Sequence, residues 1–149
     1  MHRKSYSGDS NSICCGTILL RPPGERLLTA AGHSDLPLVD SDALDYLPLA
    51  YYASPELYRR TLFLVDVPAA LIYTGSEIAD KCMLALRRYT KLQVSEFNEF
   101  TATHSEFLVY SDGRPVWDWQ PGRLLHDGYA FEVVAMNAGS RIYLARKKP

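Results

Sequence analysis

Three cysteines in 149 residues are too few and too poorly spaced for a disulfide framework, since Cys14 and Cys15 are adjacent and Cys82 stands alone. The count fits structural thiols in a reducing compartment, so a cytoplasmic protein is expected. No apolar run is long enough to cross a bilayer. Met1-His2-Arg3-Lys4-Ser5 leads into a polar stretch rather than the apolar core of a secretion signal, and no membrane contact is expected. The nine glycines are dispersed, with neither of the spacings that cradle nucleotide phosphates. Zinc spacing of Cys and His is missing, and so is the EF-hand pattern after Asp40. These absences predict no cofactor and no metal. An excess of charge is missing too. Sixteen basic residues against seventeen acidic ones leave a net charge of -1, which argues against a dedicated duplex-binding domain.

What is present in quantity is tyrosine, ten residues against five phenylalanines and two tryptophans. Tyrosine pairs a large apolar body with a polar tip and suits half-buried surfaces and interfaces. A 47% hydrophobic and 22% charged composition is that of an ordinary globular domain. Two aromatic-rich hairpins are expected near the C-terminus. The first runs Glu106 to Ser111, turns at Asp112-Gly113 and returns as Arg114 to Trp119. The second runs Tyr129 to Met136, turns at Asn137-Ala138-Gly139 and returns as Ser140 to Ala145. An Asp-Gly pair between apolar runs signals a hairpin because its central residues need positive φ.

Upstream, residues 1–11 carry no apolar period and read as a disordered arm. Ile13 to Leu20 and Arg26 to Ala30 are expected to form another hairpin. A short helix is expected around Asp42 to Tyr46, and a second at Ser54-Pro55-Glu56, where a cap serine precedes proline. Leu62 to Val67 reads as a buried strand. Thr74 and Glu77 suggest a capping box. Ile78, Cys82, Ala85, Leu86 and Tyr89 behind it form one helical stripe, which predicts a main helix over about 76–92 with that stripe buried. Ala69 to Ile72 reads as a strand running into that helix, and Phe97 to His104 as a loop. The order predicts one α+β domain over 12–149. Its sheet is expected to be mostly antiparallel, with about five to seven strands and the one main helix on a face.

Candidates for chemistry are sparse. Thr29-Ala30-Ala31-Gly32-His33 resembles the segment around the catalytic histidine of trypsin-like proteases, but Gly32 is inserted before His33 and the Gly8-Asp9-Ser10 triplet lies upstream of it. A nucleophilic cysteine needs a nearby base, which makes Cys15 with a histidine a candidate, although cysteines in a β-forming run are usually core residues. Asp40, Asp42 and Asp45 could hold a hard cation, while Asp40-Ser41-Asp42 also reads as a helix cap. For binding, the candidates are Trp117, Trp119, Tyr129, Tyr143 and Arg114 on the C-terminal sheet. The leading expectation is a non-catalytic binding or regulatory protein that contacts a protein partner or its own copy through that aromatic sheet. The alternative is a small hydrolase or transferase using His33 with Asp35 or another Asp of the 35–45 segment. Single-stranded nucleic-acid binding on the sheet comes third, because acidic residues interleave with the basic ones.

Overall fold

The computed structural model describes residues 25–114 and 118–149. The expected arm, the strand at Ile13 to Leu20, both Cys14 and Cys15, and Trp117 lie outside the described residues. Helices and strands mix as expected, in one six-stranded mixed sheet with seven helices among the described residues. No helix among them is long and apolar enough to cross a membrane.

The first two-thirds alternate helix and strand. After α1 (Glu25–Ala30) come β1 (Leu38–Asp40), α2 (Ala43–Tyr52), α3 (Pro55–Arg60), β2 (Thr61–Val65), α4 (Val67–Thr74), α5 (Ile78–Leu86), β3 (Val94–Glu96), α6 (Phe97–Thr103) and β4 (Glu106–Ser111). The chain closes with α7 (Trp119–His126), β5 (Tyr129–Met136) and β6 (Arg141–Lys147). The spatial order is β3-β2-β1-β4-β6-β5. Strands β3, β2, β1 and β4 pair in parallel, and only β4–β6 and β6–β5 are antiparallel. The mostly antiparallel sheet and the single main helix are thus corrected. The second C-terminal hairpin forms as expected.

The first does not. Tyr110 and its neighbours on β4 pair with β1 on one side and β6 on the other, and Trp119 opens α7 rather than ending a strand. Arg26 to Ala30 belongs to α1, Phe97 to Thr103 is helical, and Ala69 to Ile72 lies within α4. Ser54 caps α3 as expected, and the strand at Leu62 is β2, flanked in parallel by β1 and β3. The capping box gives way to a helix end. Thr74 closes α4, and Gly75 follows at φ +73, the left-handed conformation that glycine adopts without penalty. Helix α5 is shorter than 76–92 and turns a different face inward. Asp80 and Met83 are buried, while Ile78, Leu86 and Tyr89 are 67%, 38% and 86% exposed. Cys82 is exposed as well.

Side chains alternate across the sheet and feed two layers. Val39, Leu64, Phe107 and Val109 pack against Ala69 and Ala70 of α4, Phe97 and Phe100 of α6, and Leu124 of α7. On the other face, Leu38, Leu108, Ile142 and Leu144 meet Leu28 of α1, Leu49 of α2 and Leu57 of α3. Beside them, Phe63 and Val65 meet Tyr46 of α2 and Met83 of α5. Helices cover both faces, and α2, drawn from the segment around Leu36 to Tyr52, is one of the covers.

Candidate functional site

β1 ends on Asp40 and β4 on Ser111, side by side in the sheet. From β1 the chain winds outward through β2 to β3, then crosses to the other side of β1 as β4. Winding reverses between β1 and β4. In sheets built this way, ligands bind in the crevice beyond the carboxyl ends of the strands at that reversal. One loop leads from β1 into α2 and another from β4 into α7. Together with the first turn of α2 they carry Asp40, Asp42, Asp45, Asp112, Arg114 and Asp118.

Local bonding places each group. Asp42 caps α2, its Oδ1 accepting from Leu44 N–H at 2.7 Å, and its own N–H donates to Asp40 Oδ1 at 3.1 Å. Ser41 ties this loop to β4, its N–H and hydroxyl both donating to Tyr110 O at 3.0 and 2.9 Å. After β4, Asp112 Oδ1 accepts from Arg114 N–H at 2.9 Å around Gly113, which sits at φ +72. Ser111 donates its hydroxyl proton to Asp118 Oδ2 and accepts from Gly113 N–H at 3.1 Å.

Other carboxylate oxygens converge. One from each of Asp42, Asp45 and Asp112 lie within 4.8 Å of one another. Arg114 reaches among them, with Nη2 2.9 Å from Asp42 Oδ2 and 3.8 Å from Asp45 Oδ2, and with Nε on Asp112. Asp40 Oδ2 and Asp118 Oδ1 are buried and accept no hydrogen bond, and Asp40 as a whole is 1% exposed. Among the described residues, Arg114 is the only cation within ion-pair distance of these five carboxylates.

The energetic consequence is plain. Burial holds the Asp40 carboxyl well above the ordinary carboxylate range; Asp45, Asp42 and Asp118 push it further, against the pull of the Asp42 N–H. Asp118 is raised by burial and by Asp42, against the hydrogen bond from Ser111. Asp45 is raised by burial and by Asp42, with Arg114 opposing. Crowded buried carboxylates are costly unless protons or a cation compensate them.

Asp118, Ser111 and Gly113 also line a cavity of about 450 Å3, together with Pro121, Leu125, Phe131 and Tyr143. Of the residues expected for binding, Arg114 therefore lies in the acidic cluster and Tyr143 beside it. Trp119 is buried in the core with its indole N–H on Asp80 Oδ2 at 3.2 Å. Tyr129 is buried, its hydroxyl donating to His104 O at 2.8 Å. These side chains do not share one exposed face. His33 is exposed at φ +50 before β1, and its carbonyl accepts from Arg60 Nη1 at 3.0 Å. Asp35 lines another cavity, of about 580 Å3, at the opposite end of the parallel strands with Arg59, Arg60 and His104. Asp40, Asp42 and Asp45 of the 35–45 segment belong to the cluster, then, and His33 does not reach it. Asp112 and Asp118 were missed as site residues. The signal that could have found them is an acid just past an apolar run, as Asp112 follows Leu108-Val109-Tyr110-Ser111. Comparison with protein-family models, with curated proteins and with solved structures finds no match, so the functional reading rests on this geometry.

Proposed function

We propose that the chain is a hydrolase or transferase that binds a divalent cation in the cluster of Asp40, Asp42, Asp45, Asp112 and Asp118 and acts through it on a phosphate ester. The observation that carries this reading is Asp40 Oδ2, a buried acceptor without a donor among carboxylates that a single guanidinium cannot balance, at the crevice where winding reverses. An all-oxygen donor set selects a hard cation such as Mg2+, which uses one or two carboxylates and leaves positions for water and phosphate oxygens. Such an ion lowers the pKa of water and neutralises charge building on a phosphoryl group. Arg114 supplies a planar fork suited to phosphate oxygens. In hydrolysis, water adds to phosphorus, the ester P–O bond breaks, and the leaving oxygen takes the proton.

The test is a thermal melt with and without MgCl2, followed by phosphate release from a phosphate monoester. A Mg2+ concentration 100-fold above Kd adds about 2.7 kcal/mol to stability, which in a domain of this size raises Tm by about 5–10 °C. Asp40→Asn and Asp118→Asn should fold and lose most of that rise together with the activity. A melt indifferent to Mg2+ and Mn2+ alike would overturn the reading.

A second reading, contact with a protein partner or another copy through the C-terminal sheet, is favoured by one feature. Strand β5 is an edge of the sheet, eight residues long, with Val133 and Met136 exposed.

A further inference from the structure

We propose that the cavity beside Asp118 seats a flat aromatic group carried by the phosphate ester, so that the ligand class is a nucleotide or an aryl phosphate rather than an aliphatic phosphate. This rests on the cation-dependent reading of the acidic cluster and specifies what that site takes.

Tyr143 of β6 lies directly across from Val109 of β4. Ser111, two residues beyond Val109, points to the same side of the sheet, and its hydroxyl holds Asp118. The aromatic wall therefore adjoins the acids through one pair of neighbouring strands. Tyr143 is stacked on Phe131 of β5, with ring centroids 5.2 Å apart and planes 24° from parallel. Both rings line the cavity. Leu125, on the same cavity, is 56% exposed, whereas its neighbour Leu124 is wholly buried in the core. An exposed leucine on the cavity's rim adds nothing to the core that Leu124 already fills. It does add apolar surface for a ligand. A volume of about 450 Å3 suits a small-molecule site, which is generally apolar with a few convergent polar groups. An aliphatic phosphate would engage the cation and Arg114 and leave this wall unused.

Isothermal titration calorimetry in saturating Mg2+ tests the proposal without requiring turnover, using inorganic phosphate, glycerol 3-phosphate, phenyl phosphate and AMP as ligands. AMP or phenyl phosphate should bind about tenfold or more tighter than glycerol 3-phosphate, the scale of stacking on an aromatic side chain. A gain for AMP alone assigns nucleotides, and an equal gain for phenyl phosphate assigns aryl esters generally. Tyr143→Leu keeps apolar volume but removes the flat face, and should erase the preference while leaving Mg2+ binding unchanged. Phe131→Leu, on the outer strand, makes the same measurement if Tyr143→Leu does not fold. Equal affinity for all four ligands, no binding of any of them beside normal Mg2+ binding, or a preference that survives both substitutions would overturn the proposal. Absence of Mg2+ binding in the unmodified protein would instead overturn the reading of the cluster itself.

Discussion

Trp119 and Asp80 hold each other in the interior. The indole N–H donates to Asp80 Oδ2 at 3.2 Å, and Asp80 Oδ1 accepts from Asp66 N–H at 2.8 Å. Burial raises the Asp80 pKa above its ordinary value, against the pull of these two donors. Ionised Asp80 is therefore a cost to the folded state at neutral pH. The folded protein takes up a proton as pH falls through the raised value, while the unfolded chain still waits for about 3.9, so the cost fades in acid. Trp119→Phe removes a donor from the carboxylate and should destabilise by about 1–3 kcal/mol at pH 7. Because the loss falls on the ionised form, the deficit should shrink as the pH of the urea titration is lowered from 7 into acid. A deficit that does not change with pH would show that only the packing of Trp119 against Phe97 was lost.

At the scale of elements, helix α5 offers the sharpest check. Its buried residues are Asp80 and Met83. Met83→Ala should cost about 2–5 kcal/mol, as truncations of a buried side chain do. Leu86→Ala, at a position 38% exposed, should cost about 1 kcal/mol or less. Equal costs in the same titration would reverse the assignment of faces. The apolar stripe from Ile78 to Tyr89 misleads for a physical reason. A carboxylate reads as solvent-facing unless its donors are known, and the donors to Asp80 come from Asp66 and Trp119, far away in sequence. Strand β1 is hidden for another reason. At three residues, Leu38 to Asp40, it is too short to show a period, and it exists because β2 and β4 flank it.

Across the whole molecule, the sheet has two edges, β3 and β5. β3 is three residues long, whereas β5 is eight and exposes Val133 and Met136. Association through the C-terminal sheet would use β5, whose outer backbone groups can pair with another chain. Sedimentation across a dilution series should then show a dimer that Val133→Lys and Met136→Lys convert to monomer. A monomer at every concentration would defeat self-association and leave only a different protein as partner.

Much of the local structure follows from the sequence alone. Ser54 and Asp42 start helices because their oxygens accept the first free N–H groups. Leu62 to Val65 is a buried strand because it is continuously apolar. Tyr129 to Ala145 is a hairpin because its two β-forming runs flank a turn at Asn137, whose side chain accepts from Gly139 N–H and Ser140 N–H. Asp40, Asp42 and Asp45 were already legible as a group of carboxylates near a helix start. What they do was not, since Asp112, Arg114 and Asp118 join them only when β4 crosses to the far side of β1 and pairs with it in parallel. Asp112-Gly113 carries a hairpin signal that local chemistry cannot separate from a turn into a helix. The choice falls to tertiary structure because β4 finds both hydrogen-bonding partners, β1 and β6, elsewhere in the chain.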